Sequence, residues 1–250
     1  MKKKLLFFYL ITLLMSLSYA QNDTIFVMKN GLIIYQTPAN EVDSVIFYRP
    51  TINTIGSFVD FRDNTTYSTI QIGNKVWMAE NLAYLPSVNS SYNGSKTNPL
   101  YYVLGYNGTD TTVAKATANF QTYGVLYNYT AALTACPPGW HLPSDAEFVA
   151  FSALLGGDNI AGGKLKEAGF EHWNSPNLGA TNETGFTALP GTCRDINGGF
   201  QALGSYCYFW STLEYNVDAS YGRGLFYHYA MFQRNHHFKD YGFSVRCIMD

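Results

Sequence analysis

The chain has 250 residues, a formal net charge of −2 and only 14% charged side chains, so it has no basic stripe of the kind that binds nucleic acid. Aromatic residues make up 16%, including 20 Tyr, 17 Phe and 4 Trp. Many tyrosines and glycines with few charges are typical of loop-rich extracellular domains rather than of cytosolic enzymes.

The first 20 residues have the pattern of a secretory signal peptide. Lysines occupy positions 2–4, residues 5–17 form an apolar stretch, and Ser18 and Ala20 are small residues suited to peptidase cleavage. The stretch is shorter than the roughly 20 residues of a membrane-spanning helix, and no cysteine follows it for lipid attachment. We expect cleavage after Ala20, with an uncleaved N-terminal anchor as the alternative.

Cleavage would leave 13 basic and 18 acidic side chains, a net charge of −5. The remaining chain has no second long apolar stretch, so no transmembrane segment is expected in the mature protein. The predicted location is therefore outside the cytoplasm: the periplasm, the cell surface or the medium.

A small β-hairpin module is predicted over residues 21–48. Its β-prone runs at 24–28 and 32–36 flank Asn30-Gly31, a favoured two-residue hairpin turn, and a further run follows at 44–48. We expect a linker at residues 49–56 and one larger domain over residues 57–250.

The larger domain begins with a second predicted hairpin, in which residues 66–72 and 75–78 flank Gly73-Asn74. Residues 86–122 are rich in Ser, Asn, Gly, Thr and Tyr, and they form either a long surface excursion or a partly ordered segment.

Two short helices are predicted next. The first covers residues 127–135 and is stopped by Pro137-Pro138. The second covers residues 145–155, because Ser144 and Glu147 have the spacing of a capping box, which accounts for Glu147 without a catalytic role. The apolar side chains on one face of this helix are Phe148, Phe151, Leu154 and Leu155.

Beyond the second helix, short β-prone runs are separated by Gly and Asn clusters. They cover residues 186–189, 201–203, 206–213, 223–232 and 243–248. The predicted class is α+β, with two short helices packed against irregular antiparallel sheet.

The four cysteines Cys136, Cys193, Cys207 and Cys247 indicate two disulfides in an exported chain, although four cysteines allow three pairings. No Cys-x-x-Cys spacing of a zinc site is present.

No residue pattern indicates a catalytic, cofactor or metal site. His236-His237 with Asp240 is the nearest to a metal site, but adjacent histidines on a strand point to opposite faces. The sequence has no Gly-x-Ser-x-Gly elbow or phosphate-binding glycine loop, and no pair of carboxylates stands out for glycoside hydrolysis.

Five phrases in the larger domain stand out, namely VWMAENL at 76–82, CPPGWHLPSDAEF at 136–148, GFTALPG at 185–191, FWST at 209–212 and GFSVRC at 242–247. Together they resemble the Fibrobacter succinogenes major paralogous domain, which occurs in exported proteins of that bacterium and of Bacteroidetes. The resemblance extends from about residue 58 to residue 250.

Residues 142–148 and 242–247 are also distantly similar to formylglycine-generating sulfatase-modifying enzymes, which have a variant of the C-type lectin-like fold. In that fold a cysteine near the first helix bridges to the last strand, and an inner pair ties a long loop. The resemblance implies that Cys136 pairs with Cys247 and that Cys193 pairs with Cys207.

Neither activity of those relatives is expected here. The enzymes need a redox pair of cysteines just before the terminal strand, whereas residues 224–240 contain none. Calcium-dependent lectins use proline-centred phrases that gather oxygen ligands, and these phrases are absent.

The sequence thus predicts an exported non-catalytic recognition or surface-assembly module on a disulfide-tied C-type lectin-like scaffold, with a surface protein or glycan as partner. One alternative is a calcium-independent carbohydrate-binding protein, whose candidate ligand-stacking rings are Trp173, Tyr208, Trp210 and Tyr227. The other is an enzyme related to the formylglycine-generating proteins without their catalytic cysteines.

Overall fold

The computed structural model describes residues 24–29, 32–39 and 56–250, and the chain divides into two units between Arg49 and Pro50. In the first unit, strands β1 (Thr24–Lys29) and β2 (Leu32–Pro38) pair antiparallel. The predicted signal peptide, the turn at Asn30-Gly31, the run at 44–48 and linker residues 49–55 lie outside the described residues.

The second unit combines helices with antiparallel sheet, which confirms the predicted α+β class. Its strands are β3 (Gly56–Asp60), β4 (Thr65–Ile72), β5 (Lys75–Met78), β6 (Tyr101–Tyr102), β7 (Leu126–Tyr127), β8 (Trp140–His141), β9 (Tyr206–Glu214), β10 (Ala219–Phe226), β11 (Gln233–Phe238) and β12 (Ile248–Met249). Its helices are α1 (Thr111–Lys115), α2 (Ala118–Tyr123), α3 (Tyr129–Ala132), α4 (Asp145–Leu154) and α5 (Asp158–Leu165).

The strands of this unit form three sheets, with the orders β3-β4-β5-β12-β8, β11-β10-β9 and β6-β7. In the largest sheet, the short terminal strand β12 lies between two others, because Ile248 pairs with both Trp77 and His141. The end of the chain is thereby placed beside the phrase at 76–82 and beside the segment that leads into α4.

Two hydrophobic clusters form the core, and several strands contribute to both. On β9, Phe209 belongs to one cluster and Trp210 to the other, and on β5 Trp77 and Met78 divide in the same way. Successive side chains of a strand point to opposite faces, so β5 and β9 each contribute to both clusters. We call the cluster that contains Trp210 the first cluster and the one that contains Phe209 the second cluster.

Helix α4 begins as its sequence predicts. The Ser144 hydroxyl accepts from the Glu147 amide, and the Glu147 carboxylate accepts from the Ser144 amide, so both halves of the capping box are present. Phe148 and Phe151 pack against Trp77, with ring centroids 5.6 and 4.5 Å away. Leu154, expected on the same buried face, is instead 48% exposed.

Several predicted elements are shorter than expected or absent. The helix expected at 127–135 covers only Tyr129–Ala132, because Tyr127 pairs with Tyr101 in the sheet of β6 and β7. Residues 186–189 and 201–203 are not strands, and of residues 243–248 only Ile248 belongs to one.

Other elements were not predicted. The segment 86–122 contains β6, helix α1 and all of helix α2 except its last residue. Helix α5 contains Gly162 and Gly163, which disfavour a helix in isolation. Both glycines are required by close packing, since a Cβ would lie 2.2 Å from the Met231 carbonyl oxygen and 2.3 Å from that of Gly179, respectively. None of the helices in the described residues is long and apolar enough to cross a membrane.

Candidate functional site

A disulfide joins Cys136 to Cys247, whose Cα atoms are 5.9 Å apart and whose positions differ by 111 residues. Cys136 follows α3 and Cys247 directly precedes β12. The bond therefore fastens the segment between α3 and α4 to the terminal strand, which is the pairing that the resemblance implied.

The second expected disulfide, between Cys193 and Cys207, is not formed, and both residues are buried free thiols. Thr192 pairs with Cys207, so Cys193 lies one residue further along and faces the opposite side. Cys193 accordingly belongs to the first cluster and Cys207 to the second. Burial raises the pKa of each thiol to about 12, so neither is a ready nucleophile at neutral pH.

The four candidate aromatic rings do not form one surface. Trp173 is 1% exposed and Trp210 is fully buried, and they lie in different clusters. Their indole N–H groups donate to the carbonyl oxygens of Ala188 and Tyr127, at 2.9 and 2.8 Å respectively. Both tryptophans are therefore core residues, which corrects the expectation that they stack on a ligand.

The two tyrosines of that set are also committed to packing. Tyr208 is partly buried and stacks on Phe243, with ring centroids 4.8 Å apart. Tyr227 is partly buried against the second cluster. On β9, Tyr208 and Trp210 lie on the same face of the strand, and that face packs against the first cluster.

The histidine pair diverges. The exposed His236 stacks on Tyr215 with centroids 3.9 Å apart, whereas His237 packs edge-on against Phe243. Burial lowers the pKa of His237 to about 4, so its imidazole is neutral at physiological pH. These residues do not converge on a common metal site.

One group of three potential metal ligands occurs among the described residues, formed by Glu167, Glu171 and His172. Nδ1 of His172 lies 2.9 Å from the Glu167 carboxylate. An ordinary hydrogen-bonded pair on a partly exposed loop accounts for this arrangement, so we assign no metal to it.

The phrases that carry the family resemblance meet at a cleft of about 490 Å³. Three phrases contribute to it: 76–82 through Glu80 and Asn81, 185–191 through Thr187, and 242–247 through Arg246. We call it the motif cleft, and its lining residues include Tyr67, Glu80, Asn81, Phe120, Gln121, Thr122, Thr187, Leu189 and Arg246.

Arg246 forms the floor of the motif cleft and is 1% exposed. Nε donates to Oδ1 of Asn81 at 2.7 Å, Nη1 to the carbonyl oxygens of Phe186 and Met78 at 2.6 and 3.3 Å, and Nη2 to that of Thr187 at 3.0 Å. Burial lowers the pKa of Arg246 to about 9, so the guanidinium remains charged at neutral pH. One side chain thus holds all three phrases together.

Asn81 fixes the neighbouring wall. Its Nδ2 donates to the Tyr123 carbonyl oxygen at 2.9 Å and to the Ser244 hydroxyl at 3.3 Å, while its Oδ1 accepts from Arg246. Asn81 and Arg246 are therefore occupied by protein contacts, and the floor of the cleft is rigid.

The rim carries polar groups with unused hydrogen-bonding capacity. Exposed Glu80 accepts from the Ser68 amide through Oε1 alone, and Gln121 donates to the Lys115 carbonyl oxygen while its own Oε1 has no partner among the described residues. The Thr122 hydroxyl likewise makes no hydrogen bond to any residue that the structure describes.

Comparison with known families identifies the family to which these phrases belong. The model of the Fibrobacter succinogenes major domain matches residues 70–249, a span that contains all five phrases. The chain belongs to the Fibrobacter succinogenes major domain family. No curated protein and no solved structure matches it.

In this major domain, the described lining of the motif cleft contains one carboxylate and one guanidinium group. Glu80 is the one carboxylate among its described lining residues, which include no cysteine, histidine or lysine. Glycoside hydrolysis uses two carboxylates, and a nucleophilic mechanism needs a nucleophile beside a base. The described lining does not supply a pair of carboxylates.

Only part of the cleft lies within the phrases of the major domain, and no local pattern in the sequence predicts it as a site. Glu80, Asn81 and Arg246 are polar residues inside otherwise apolar phrases. A polar side chain that is buried or half-buried within an apolar phrase needs fixed partners, so Asn81 and Arg246 are the sequence signal that points to the cleft.

Proposed function

We propose that this protein is an exported, non-catalytic recognition module and that its ligand binds in the motif cleft. The observation that carries the proposal is the division of the cleft into a rigid floor, fixed by Arg246 and Asn81, and a rim with unused polar groups at Glu80, Gln121 and Thr122. Preformed clefts with a few convergent polar groups are typical of ligand sites. The two remaining thiols, with their pKa values raised to about 12, do not favour the enzyme alternative.

We propose that the scaffold is a variant of the C-type lectin-like fold. The support is the bond between Cys136 and Cys247, which ties the segment after a short helix to the terminal strand. Non-reducing peptide mapping tests the scaffold, and a peptide that joined Cys136 to Cys193 would argue against it.

Export is part of the proposal, and it rests on the sequence of residues 1–20. Mass analysis of the protein from its native host should find a mature chain that begins at Gln21. Recovery of a chain that begins at Met1 from the cytosolic fraction would contradict export.

Binding in the cleft is tested by filling it. Thr122 lines the cleft from α2, so Thr122→Trp places a large ring where the ligand would lie. We expect binding to drop at least about tenfold, the effect of about 1.4 kcal/mol. The ligand is first selected by probing glycan and protein arrays with the purified chain.

The matched control is Ala118→Trp, which puts the same ring on an exposed position of the same helix, outside the cleft lining. This variant should bind like the unaltered chain, and thermal melts should show that both variants fold. Equal binding by the Thr122→Trp and Ala118→Trp variants would place the ligand elsewhere and defeat the proposal.

A further inference from the structure

We propose that the ligand group held in the motif cleft is a neutral, hydroxyl-rich sugar residue, bound without calcium. This inference rests on the proposed function, since it names the class of ligand for the same cleft. Four properties of the cleft support it, namely its charge, the occupied edges of Arg246, the free donors and acceptors, and one aromatic wall.

The charges of the lining residues balance. Arg246 is the only cation and Glu80 the only carboxylate among the described residues that line the cleft. A strongly anionic ligand would meet the exposed Glu80 carboxylate, and a strongly cationic one would meet the buried guanidinium. Both cases bring like charges together, so a neutral ligand is favoured.

A zwitterion such as a free amino acid would also match one cation and one carboxylate, but the geometry of Arg246 disfavours it. Recognition of a carboxylate by arginine uses two parallel N–H groups on one edge of the guanidinium. Here Nε donates to Asn81, Nη1 donates to Phe186 and Met78, and one N–H of Nη2 donates to Thr187. Four of the five N–H groups are thus occupied, and no edge keeps a free pair.

The groups that remain free include both donors and acceptors. Glu80 Oε2 and Gln121 Oε1 are acceptors with no partner in the described part of the chain, and Thr122 offers a hydroxyl. The Tyr67 hydroxyl accepts from the Ala83 amide, which leaves its hydrogen to donate. A sugar hydroxyl can donate and accept hydrogen bonds at the same time, so the several hydroxyls of one sugar match these donors and acceptors.

An apolar wall completes the cleft. Phe120 is partly buried against the first cluster and lines the cleft together with Leu189. A pyranose presents C–H groups on its ring faces, which such a wall can cover, and its hydroxyls lie at the edge. The volume of about 490 Å³ lies within the range of about 300–1,000 Å³ that small-molecule sites occupy.

Calcium is not needed for this mode of binding. Ca²⁺ takes about six to eight oxygen ligands, usually with several carboxylates among them. Glu80 is the one carboxylate of the described lining, so the sugar would be held by direct hydrogen bonds.

The experiment is calorimetric titration of the purified chain with neutral monosaccharides and disaccharides in the presence of a calcium chelator. Glucuronic acid, glucosamine and free amino acids are titrated in parallel. At least one neutral sugar should bind, and Glu80→Gln should weaken that binding about tenfold, because a hydrogen bond to a charged acceptor is lost. Glu171→Gln, at an exposed position outside the cleft, should leave it unchanged.

Failure of every neutral sugar to bind would overturn the inference, as would preference for the acidic sugar or for amino acids, a requirement for calcium, or equal binding by the Glu80→Gln variant. The proposed function would survive if an array-selected protein or other ligand bound and Thr122→Trp blocked it. If Thr122→Trp blocked no ligand, the proposed function would fall as well.

Discussion

Replacing Cys247 by alanine is expected to lower the free energy of unfolding by about 4 kcal/mol, because a disulfide that closes a loop of about 100 residues limits the unfolded chain by about that amount. The bond to Cys136 spans 111 positions. For a domain of this size, each kcal/mol lowers the melting temperature by about 2–4 °C. Thermal melts of the unaltered chain and the variant should therefore differ by about 10 °C.

Cys207→Ala is the matched control, since it removes one buried sulfur atom and no disulfide. It should cost only about 1 kcal/mol, as small core truncations do. A reductant should lower the melting temperature of the unaltered chain and of this control but not that of Cys247→Ala. A reductant effect that disappeared in Cys207→Ala would mean that Cys207 is bonded, in contradiction to the structure.

Local patterns predicted the elements that local physics determines. The capping box at Ser144 and Glu147 specifies where α4 begins, and Gly73-Asn74 specifies the turn between β4 and β5. Both signals lie within a few residues of the structure that they produce. The bond between Cys136 and Cys247 came from the resemblance, because spacing alone allows three pairings.

Other errors concern which side chains face the core. Cys193 and Cys207 are 14 positions apart in sequence and lie on neighbouring segments, yet they belong to different clusters. Trp173 and Trp210 were candidate ligand rings, yet both fill the core. The direction of a side chain depends on strand register, which is set by tertiary packing rather than by neighbours in sequence.

The motif cleft illustrates the same limit over a longer range. Asn81 and Arg246 are separated by 165 positions but lie in hydrogen-bond contact at 2.7 Å. The antiparallel pairing of β12 with β5 brings their segments together. The phrases were visible in the sequence, but their convergence on one cleft required the topology of the sheet.

Replacing Lys166 by methionine is expected to lower the free energy of unfolding by about 3 kcal/mol. The carbonyl oxygens of Leu178 and Tyr229 would lose their donor, at about 1–3 kcal/mol each, whereas that of Phe226 would keep the Tyr229 amide. The Lys166 side chain is fully buried, and Nζ donates to the carbonyl oxygens of Leu178, Phe226 and Tyr229 at 3.0, 3.0 and 2.9 Å. Two loops that follow α5 and β10 are thereby joined through one ammonium group. Denaturant unfolding at pH 7 measures the loss.

Lys164→Met is the control for this change. Lys164 lies two residues earlier in the sequence, in the last turn of α5. It is partly exposed, and its ammonium pairs with the Glu183 carboxylate at 3.0 Å. Partly exposed ion pairs contribute about 0–1 kcal/mol, so this variant should stay close to the unaltered chain. Equal losses in Lys164→Met and Lys166→Met would mean that the three carbonyl contacts contribute nothing specific.

The difference in stability between the unaltered chain and Lys166→Met is also expected to depend on pH. Burial lowers the pKa of its ammonium from 10.5 to about 8, so between these values the unfolded chain holds a proton that the folded chain has released. Stability rises with pH wherever the unfolded state binds more protons. The contribution of Lys166 should therefore grow from pH 8 toward pH 10, and the gap between the unaltered chain and Lys166→Met should widen over that interval. The other titrating groups are common to both proteins. Cys207 is the group whose charge would affect the pKa of Lys166, but burial raises its own pKa to about 12, so it stays protonated over this interval and the effects of the other groups cancel in the difference. A gap that narrowed would show that the three carbonyls hold the proton more strongly than burial expels it.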